Sequence, residues 1–563
     1  MPAADPHPLV HFEPGRNCWR VERAERLSVI VDAQDYFTTL RAALKRAKRT
    51  VYLIGWDFDL RIEMCPGEET DEDGIAADGW PNALGDFLNA LTDRNPDLHL
   101  HILKWDGAML AAIGKQVVPT IWMQWFSGSQ IHFALDSHHP VGACHHSKIV
   151  VIDDEMAFCG GIDVTEDRWD TRDHTPDDPR RTRPDGEPHG PWHDVTTALA
   201  GPVARALGDL SRLRWEAATG ERLTPPEAGG SPPWPDDFDA GMRGVDVAIA
   251  RTAPRYHGDP LVNEIEHLYL DAIRGARDTL YLESQYLAAG TLCDALEERL
   301  REPDGPEVVV INPREAESFM EDEAMHSVRS VMIDRLREAG NGAGQERFRI
   351  FHPVNAAGTP IYVHAKVVIA DDRLLRVGSS NIDNRSMGFD TECDVAVVAD
   401  DDATRRVIRD LRRDLLAEHL GSASEKVGEA EERHGSLIAA IEELNEESGR
   451  ESERGLRTIH AEPLDPLERA LAETRLFDPR YRPKPKQKVE HAVKRGMAPY
   501  HVPATLGAGG LLGAVAVGLT AAAGWTLYKR WRDGRDRRKR HARLERHGRF
   551  PTPAIVTREG LRR

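Results

Sequence analysis

The sequence predicts an α/β protein built from two homologous halves. Short runs of β-branched and apolar residues alternate with amphipathic helical patterns, which is typical of a buried sheet covered by helices. The same order of segments also occurs twice. A helical pattern over 36–49 leads into an apolar strand over 51–56, and a helical pattern over 261–277 leads into a strand over 279–286. A chain of 563 residues is long enough for two such cores.

The remaining elements follow this duplicated plan. Strands are predicted over 98–103, 148–152, 308–311, 367–369 and 394–398, and a helix over 403–420. We therefore predict a first half over 1–224, a linker rich in Pro, Gly and Asp over 225–240, and a second half over 241–421. Beyond them we predict a Glu-rich charged spacer over 422–503, a hydrophobic helix over 504–528 and a basic tail over 529–563.

The C-terminal segment has the length of a membrane helix. Residues 504–528 are 25 residues without a charge, about 37 Å as a helix at ~1.5 Å per residue, against a hydrocarbon core of ~30 Å. The last 84 residues, 480–563, carry 21 Lys/Arg against 5 Asp/Glu, which suits an anionic lipid surface. Residues 504–528 are rich in Ala and Gly, so they could instead form a buried helix of a soluble protein. We expect membrane association with the body of the protein in the cytoplasm, because residues 1–10 lack the pattern of a secretory signal.

Charge and cysteine usage restrict the partners. The net charge is −20 although the tail is basic, so the body is strongly acidic and a nucleic acid partner is not expected. The six cysteines are widely spaced and form no Cys-x-x-Cys pair, which predicts neither a zinc site nor a disulfide framework. We expect a monomeric body without a cofactor.

One chemical motif occurs once in each half, with the form His-x-Lys-x4-Asp. The two copies are His146, Lys148, Asp153 and His364, Lys366, Asp371. On a strand, the His and the Lys of one copy point to the same face. Glycines follow each copy at 160–161 and 378, and we interpret them as places where backbone amides approach an anion. A single copy could be a structural feature of a strand end, but two copies at matching positions predict one phosphate site shared by the halves.

These residues resemble the paired signature of the phospholipase D superfamily, and the resemblance extends over roughly residues 10–420. Flanking segments are similar to the phosphatidylcholine-type members; they lie at 160–163, 168–170, 191–194, 201–202, 214–215, 283–286, 378–386 and 392. The resemblance implies two α/β/α sandwiches related by a pseudo-twofold axis, with both motifs meeting at the interface. It also implies a phospholipid substrate.

Roles for the site residues follow from this resemblance. His146 is expected to be the nucleophile and His364 the general acid and base. A carboxylate behind each imidazole would fix its tautomer, and the twofold suggests that Asp194 orients His364 and Glu392 orients His146. Either acid could instead be an ordinary surface carboxylate.

The other predicted site residues bind the phosphate or complete the motifs. Expected ligands of the phosphate oxygens are Lys148, Lys366, Ser379 and Asn381. The motif acids Asp153 and Asp371 end their strands and are expected to hold local structure. No metal is expected, because the motifs contain no His-x-His or carboxylate grouping of ligand spacing.

The predicted activity is cleavage of the head-group phosphodiester of a phospholipid, giving phosphatidic acid through a phosphohistidine. A cardiolipin synthase-like transphosphatidylase, in which a lipid alcohol replaces water, fits the same residues. A non-catalytic membrane scaffold is the alternative of another class, and the intact His, Lys and Asp of both motifs count against it.

Overall fold

The computed structural model describes residues 9–107, 129–227, 229–315, 319–340, 346–449 and 452–464. All of them belong to the first of two compact units, 1–492, and the second unit covers 493–563. The predicted membrane helix over 504–528 and the basic tail over 529–563 lie outside the described residues. Within the part of the chain that the structure describes, no helix is both long and apolar enough to cross a bilayer.

The first half contains a seven-stranded mixed sheet. The elements of this half, in chain order, are β1 (Arg20–Ala24), β2 (Arg26–Val31), α1 (Ala33–Leu44), β3 (Thr50–Gly55), α2 (Leu84–Arg94), β4 (His99–Trp105), β5 (Ile131–Asp136), β6 (Ile149–Ile152), β7 (Met156–Gly160), β8 (Trp192–His193), β9 (Val195–Ala200) and α3 (Pro202–Thr219). The strand order is β2-β9-β7-β6-β3-β4-β5, in which β3, β4 and β5 run parallel and the other pairs are antiparallel.

The second half repeats this arrangement. Its elements are β10 (Val245–Ala253), β11 (Val262–Asn263), α4 (Glu264–Gly275), β12 (Thr279–Glu283), α5 (Gly290–Arg301), β13 (Glu307–Ile311), α6 (Phe319–Gly340), β14 (Phe348–Val354), β15 (Tyr362–Val363), β16 (Val367–Ala370), β17 (Leu374–Gly378), β18 (Glu392–Val398) and α7 (Asp402–Leu420). The order β10-β18-β17-β16-β12-β13-β14 matches the first sheet strand for strand, including the three parallel strands. The predicted α/β class with a duplicated layout is confirmed.

Both faces of each sheet are buried, and the alternation of side chains along the strands shows why. In β3, Val51 and Leu53 pack with α1 and α2, whereas Tyr52 and Ile54 point into a central core. This central core contains side chains of both sheets together with α3 and α7. Helices α4, α5 and α6 cover the opposite face of the second sheet. The two halves therefore share one core.

Residues 422–464 differ from the predicted charged spacer. They form α8 (Ser424–His434), α9 (Leu437–Ser448) and β19 (Gly455–Thr458), and β19 pairs antiparallel with β14 at the edge of the second sheet. Val427, Ile441 and Leu456 are buried in the central core. The segment is rich in Glu but carries a narrow apolar stripe along its helices. Because this stripe packs into the core, the segment belongs to the second half. The first strand, β1, also joins the second sheet, where it pairs with β10.

Candidate active site

The two motif histidines lie side by side where the halves meet. The ring centroids of His146 and His364 are 6.5 Å apart. His146 comes just before β6 and His364 just before β16. These two strands occupy equivalent positions in the two sheets. The structure therefore brings together the two histidines that the duplicated motif predicts for one site.

Each imidazole is held by a carboxylate from the other half. Nδ1 of His146 lies 3.1 and 3.0 Å from the two carboxylate oxygens of Glu392, and Nδ1 of His364 lies 2.6 Å from Oδ2 of Asp194. Glu392 begins β18 and Asp194 precedes β9, which are equivalent strands of the two sheets. With Nδ1 bound to a carboxylate, Nε2 of each ring is directed away from it and is the nitrogen available for chemistry.

Backbone hydrogen bonds lock this crossed arrangement. The amide of His146 donates to the carbonyl of Thr391, next to Glu392, at 2.8 Å. In the same way the amide of His364 donates to the carbonyl of His193, next to Asp194, at 2.8 Å. Strands β15 and β8 pair in parallel beside the second contact. Each histidine is thus anchored to the segment that supplies its carboxylate.

Burial and the neighbouring lysines keep both imidazoles neutral in the free site. Burial holds the pKa of His146 and of His364 well below the usual range, and the charges of Lys148 and Lys366 lower both further. A phosphate anion would offset those positive charges and favour the imidazolium form again. Burial also raises the pKa of Asp194 to about 6 and that of Glu392 to about 8.

The two lysines occupy different electrostatic environments. Lys148 Nζ forms a buried ion pair with Asp163 Oδ2 at 3.0 Å, and it donates to the backbone carbonyl of His146. Lys366 Nζ donates to the carbonyl of His364, and burial lowers its pKa to about 7. Asn381 has a buried Oδ1 that has no hydrogen-bond partner in the described part of the chain. An anion would restore the charge of Lys366, as expected of a phosphate ligand.

Ser379 does not take the predicted position of a substrate ligand. Its hydroxyl donates to Glu392 Oε2 at 2.5 Å and accepts from the amide of Cys393, and the residue is buried. The hydroxyl of Ser386, which the sequence did not single out, donates to the other carboxylate oxygen at 2.7 Å. Both serines therefore position Glu392 behind His146. Because the carboxylate of Glu392 is buried, its oxygens need hydrogen-bond donors, and the two serine hydroxyls supply them.

The glycines after the motifs serve the carboxylates instead of an anion. The amide of Gly161 is already bonded to the carbonyl of Val195, and the amide of Ser379 to Asp394. A Cβ atom on Gly161 would lie 2.1 Å from Oδ1 of Asp194. Glycine is needed there so that the acid behind His364 can sit close to the backbone.

Asp153 and Asp371 lie away from the histidines, at the far ends of β6 and β16. With a positive φ of 56°, Asp153 accepts hydrogen bonds from three backbone amides at 48–50, at 2.8 to 2.9 Å. Asp371 does the same with the amides at 277–279. Strand β6 alone separates Asp153 from the site by about 13 Å at ~3.3 Å per residue. These acids connect neighbouring strands, and their carboxylates are bonded to backbone amides away from the two histidines.

Aromatic side chains line the His364 side of the site. Trp192 stacks on Tyr362 with centroids 4.6 Å apart and lies 5.2 Å from the ring of His364. The guanidinium of Arg168 is 4.2 Å from the centroid of Trp192. Its charge lowers the pKa of His364. The segments containing Arg168 and Trp192 entered the sequence analysis only as flanking matches, because neither residue belongs to a motif.

Comparison with known proteins agrees with this geometry. The family model "Cardiolipin synthase, PLD-like domain" matches residues 269–415, which include the second motif. Phospholipase D1 of Schizosaccharomyces pombe is 24% identical over 499 residues, covering 70% of this chain. The chain is thus similar to proteins of the phospholipase D superfamily. Cardiolipin synthase A of Yersinia pseudotuberculosis, another similar protein, is 26% identical over 285 residues and 48% of this chain.

These similar proteins are distant and match in part. The chain covers 35% of the fission yeast phospholipase D and 48% of the cardiolipin synthase. Among solved structures, phosphatidylserine synthase of Haemophilus influenzae Rd KW20 aligns with a TM-score of 0.45 and 10% identity, covering 84% of this chain and 96% of that one.

Proposed function

We propose that the protein is a phospholipase D-type enzyme that cleaves the head-group phosphodiester of a phospholipid through a phosphohistidine on His146. The observation that carries the proposal is the pair of imidazoles from two halves, each with Nδ1 on a buried carboxylate. Burial holds the pKa of both rings low, which favours their neutral form. A phosphodiester needs a neutral nucleophile, because its anionic oxygens repel charged ones, and it needs an acid for the leaving alcohol. Two oriented imidazoles supply both.

The chemical steps follow from the positions of the groups. Lys148, Lys366 and Asn381 would bind the non-bridging oxygens of the phosphate. Nε2 of His146 attacks phosphorus, while His364, protonated once the anion is bound, gives its proton to the departing alcohol. Water then attacks the phosphohistidine, His364 removes its proton, and phosphatidic acid leaves. Ionised Glu392 would stabilise the positive charge on His146 during the attack.

A cardiolipin synthase-like transfer is the second candidate. It is favoured by the description of the family model that matches 269–415 and by the similarity to the Yersinia protein. The first step is the same, but a lipid alcohol replaces water in the second. Intact motifs and intact orienting acids argue against a non-catalytic scaffold.

Product analysis separates the two candidates. Purified full-length protein is incubated with vesicles of phosphatidylcholine and, separately, of phosphatidylglycerol, and lipids are identified by mass spectrometry. Phosphatidic acid and free choline support hydrolysis, whereas cardiolipin and glycerol from phosphatidylglycerol support transfer. His146→Ala and His364→Ala should each abolish every product with the fold intact by circular dichroism. Near wild-type turnover in either variant would contradict the shared site.

A further inference from the structure

A second buried cluster of acids and histidines lies next to Asp194, outside the motifs. It consists of Asp32 between β2 and α1, His174 in the loop before β8, His193 in β8 and Glu418 in α7. All four are buried, and the catalytic proposal above uses none of them. We propose that these four side chains bind one divalent transition-metal ion, with Zn²⁺ as the first candidate.

The spacing of the ligand atoms fits a tetrahedral ion. His193 Nδ1 lies 2.7 Å from Glu418 Oε1 and 3.2 Å from Asp32 Oδ1. His174 Nε2 lies 3.2 Å from Glu418 Oε1 and 3.6 Å from Asp32 Oδ2. Ligands about 2.0–2.1 Å from a tetrahedral zinc are separated from one another by about 3.3 Å. The four measured separations bracket that value.

Two of these atoms are buried without a hydrogen bond in the described part of the chain. They are Nδ1 of His193 and Oδ2 of Asp32. The oxygens nearest to His193 Nδ1 are within reach, but a proton on this nitrogen would not point at either of them. The lone pair of a neutral imidazole occupies that same direction. An ion between the four side chains would satisfy both atoms, which buried polar groups normally require.

Each histidine is also oriented as a metal ligand is. The ring nitrogen of His174 that faces away from the cluster, Nδ1, lies 2.9 Å from Oδ2 of Asp170. The corresponding nitrogen of His193, Nε2, lies 2.9 Å from Oε2 of Glu283. A carboxylate behind the imidazole fixes the tautomer that presents a lone pair to the metal. Both histidines of the cluster have this partner.

The charge of the cluster favours a divalent cation. Asp32 and Glu418 contribute two negative charges in a buried site, and with neutral imidazoles a 2+ ion balances them. Two imidazolium ions would supply the same charge, and each needs a hydrogen-bond acceptor for both N–H groups. His174 has these acceptors in Asp170 and Glu418. His193 Nδ1 has no acceptor in line. Two nitrogen and two oxygen ligands suit zinc, and also iron or manganese, better than calcium.

The ion would connect the halves next to the catalytic centre. Asp32, His174 and His193 come from the first half, whereas Glu418 comes from the second. Asp32 Oδ1 also accepts from the amide of Asp194 at 3.1 Å, and the Asp32 amide donates to the carbonyl of Asp194 at 2.8 Å. Through Asp32 the cluster is connected to the backbone of the acid behind His364. No motif revealed these four residues, because they are spread over the chain from 32 to 418.

The direct test is the metal content of the full-length protein, purified with an affinity tag that contains no histidines. Inductively coupled plasma mass spectrometry should find about one transition-metal ion per chain, and X-ray absorption should find only N and O ligands at about 2.0–2.1 Å. His174→Gln and Glu418→Gln should lose the ion. His132→Gln is the matched control, because it removes an imidazole from the stacked pair of His99 and His132 elsewhere on the surface. This control should keep the ion, and so should His146→Ala.

Two further measurements keep the proposal testable if a ligand variant does not fold. Wild-type protein stripped with a chelator should regain thermal stability when Zn²⁺ is added. Asp170→Asn keeps all four ligands but removes the carboxylate behind His174, together with its ion pair to Arg181. It should weaken metal affinity by about 10- to 100-fold in a chelator competition. Wild-type protein that carries no ion and shows no thermal shift with Zn²⁺, Mn²⁺ or Fe²⁺ would overturn the proposal in favour of two imidazolium ions. Loss of the ion in His132→Gln or His146→Ala would place it elsewhere. Because the readout is metal content, these results do not depend on the lipid chemistry.

Discussion

Crossed support of the histidines is the main feature at the scale of single residues. Because Glu392 belongs to the second half and His146 to the first, neither half contains an oriented imidazole of its own. The same holds for Asp194 and His364. The two rings are nevertheless unequal, since burial raises the pKa of Glu392 more than that of Asp194. Such inequality suits two different roles in one reaction.

The assignment of roles predicts where a covalent intermediate forms. In His364→Asn the proton donor and the later base are lost, so phosphate transferred to His146 should accumulate. In His146→Asn no label should appear. Rapid quenching with a radiolabelled phospholipid, followed by peptide mass spectrometry, locates the label. A label on His364 would reverse the two roles.

The raised pKa of Glu392 predicts a pH dependence. Only the ionised acid accepts the Nδ1 proton of His146 and leaves a lone pair on Nε2, and this form is gained as the pH rises through about 8. We expect kcat/KM to rise with a midpoint near pH 8 and to level off above it. Glu392→Gln should lower kcat by about 10³- to 10⁴-fold and abolish this rise.

Ser386→Ala is the matched control for this profile. It removes one hydroxyl that lowers the pKa of Glu392, so the rise should move to higher pH but persist. A wild-type profile that stays flat between pH 6 and 9, or one unchanged in Glu392→Gln, would show that Glu392 does not control the nucleophile.

The site could be predicted in part at this scale. The motifs predicted the two histidines and lysines, and the twofold pointed to the two acids that the structure places behind the rings; their catalytic roles stay predictions. Ser386 carried no signal, because a serine hydroxyl near an acid is common in any sequence. Ser379 was predicted to bind substrate because it follows a glycine, which suggested an anion site. In the structure its hydroxyl donates to the buried carboxylate of Glu392 instead.

At the scale of elements, Asp153 predicts a stability effect without a catalytic one. Its carboxylate joins the turn after β6 to the start of β3 through three amides. Asp153→Ala should lower the free energy of unfolding by about 1.5–3 kcal/mol, since hydrogen bonds to a charged group are lost and Ala tolerates the positive φ poorly. Urea denaturation measures the loss. Asp153→Asn, which accepts this backbone, should lose less, and folded protein of both variants should keep its turnover. If turnover were lost while stability stayed unchanged, Asp153 would have a catalytic role.

Helices α8 and α9 and strand β19 predict the limits of truncation. A chain that ends after Gly421 exposes the core surface that Val427, Ile441 and Leu456 cover, at about 1.5–3 kcal/mol for each large apolar side chain. It should be insoluble or molten, whereas a chain that ends after Leu464 should fold. Thermal unfolding of the two truncations checks this. Equal melting temperatures would mean that the segment is an appendage.

The elements also show where sequence patterns are sufficient. Strands buried on both faces, such as β3 and β12, appear as continuous apolar runs and were predicted. The segment after Gly421 was not, because charged residues outnumber its narrow apolar stripe and average composition then resembles a solvated spacer. The position of β1 in the second sheet depends on pairing partners far apart in the chain, and no local pattern contains that information.

At the scale of the whole molecule, the charge asymmetry predicts attachment to lipid. The basic region after 480 follows an acidic body, and the uncharged segment 504–528 lies within it. We propose that this region holds the enzyme on a membrane. A chain that ends after Pro499 should remain soluble and still cleave detergent-dispersed phospholipid, whereas the full chain should resist a carbonate wash. The matched control is a full-length variant in which only the basic residues 535–540 are neutralised, which should still resist the wash. Full-length protein found wholly in the soluble fraction would contradict the proposal.

The crossed arrangement of His146 with Glu392 and of His364 with Asp194 has a genetic consequence. Every functional group of the centre belongs to one reading frame and one folded unit, so the two motifs form a single complementation group. Two inactive alleles, one altered at His146 and one at His364, each produce a chain that lacks half of its own centre. Because the halves share a buried core, such chains cannot exchange halves after folding. A cell that carries both alleles would therefore remain as deficient as a cell that carries either one alone.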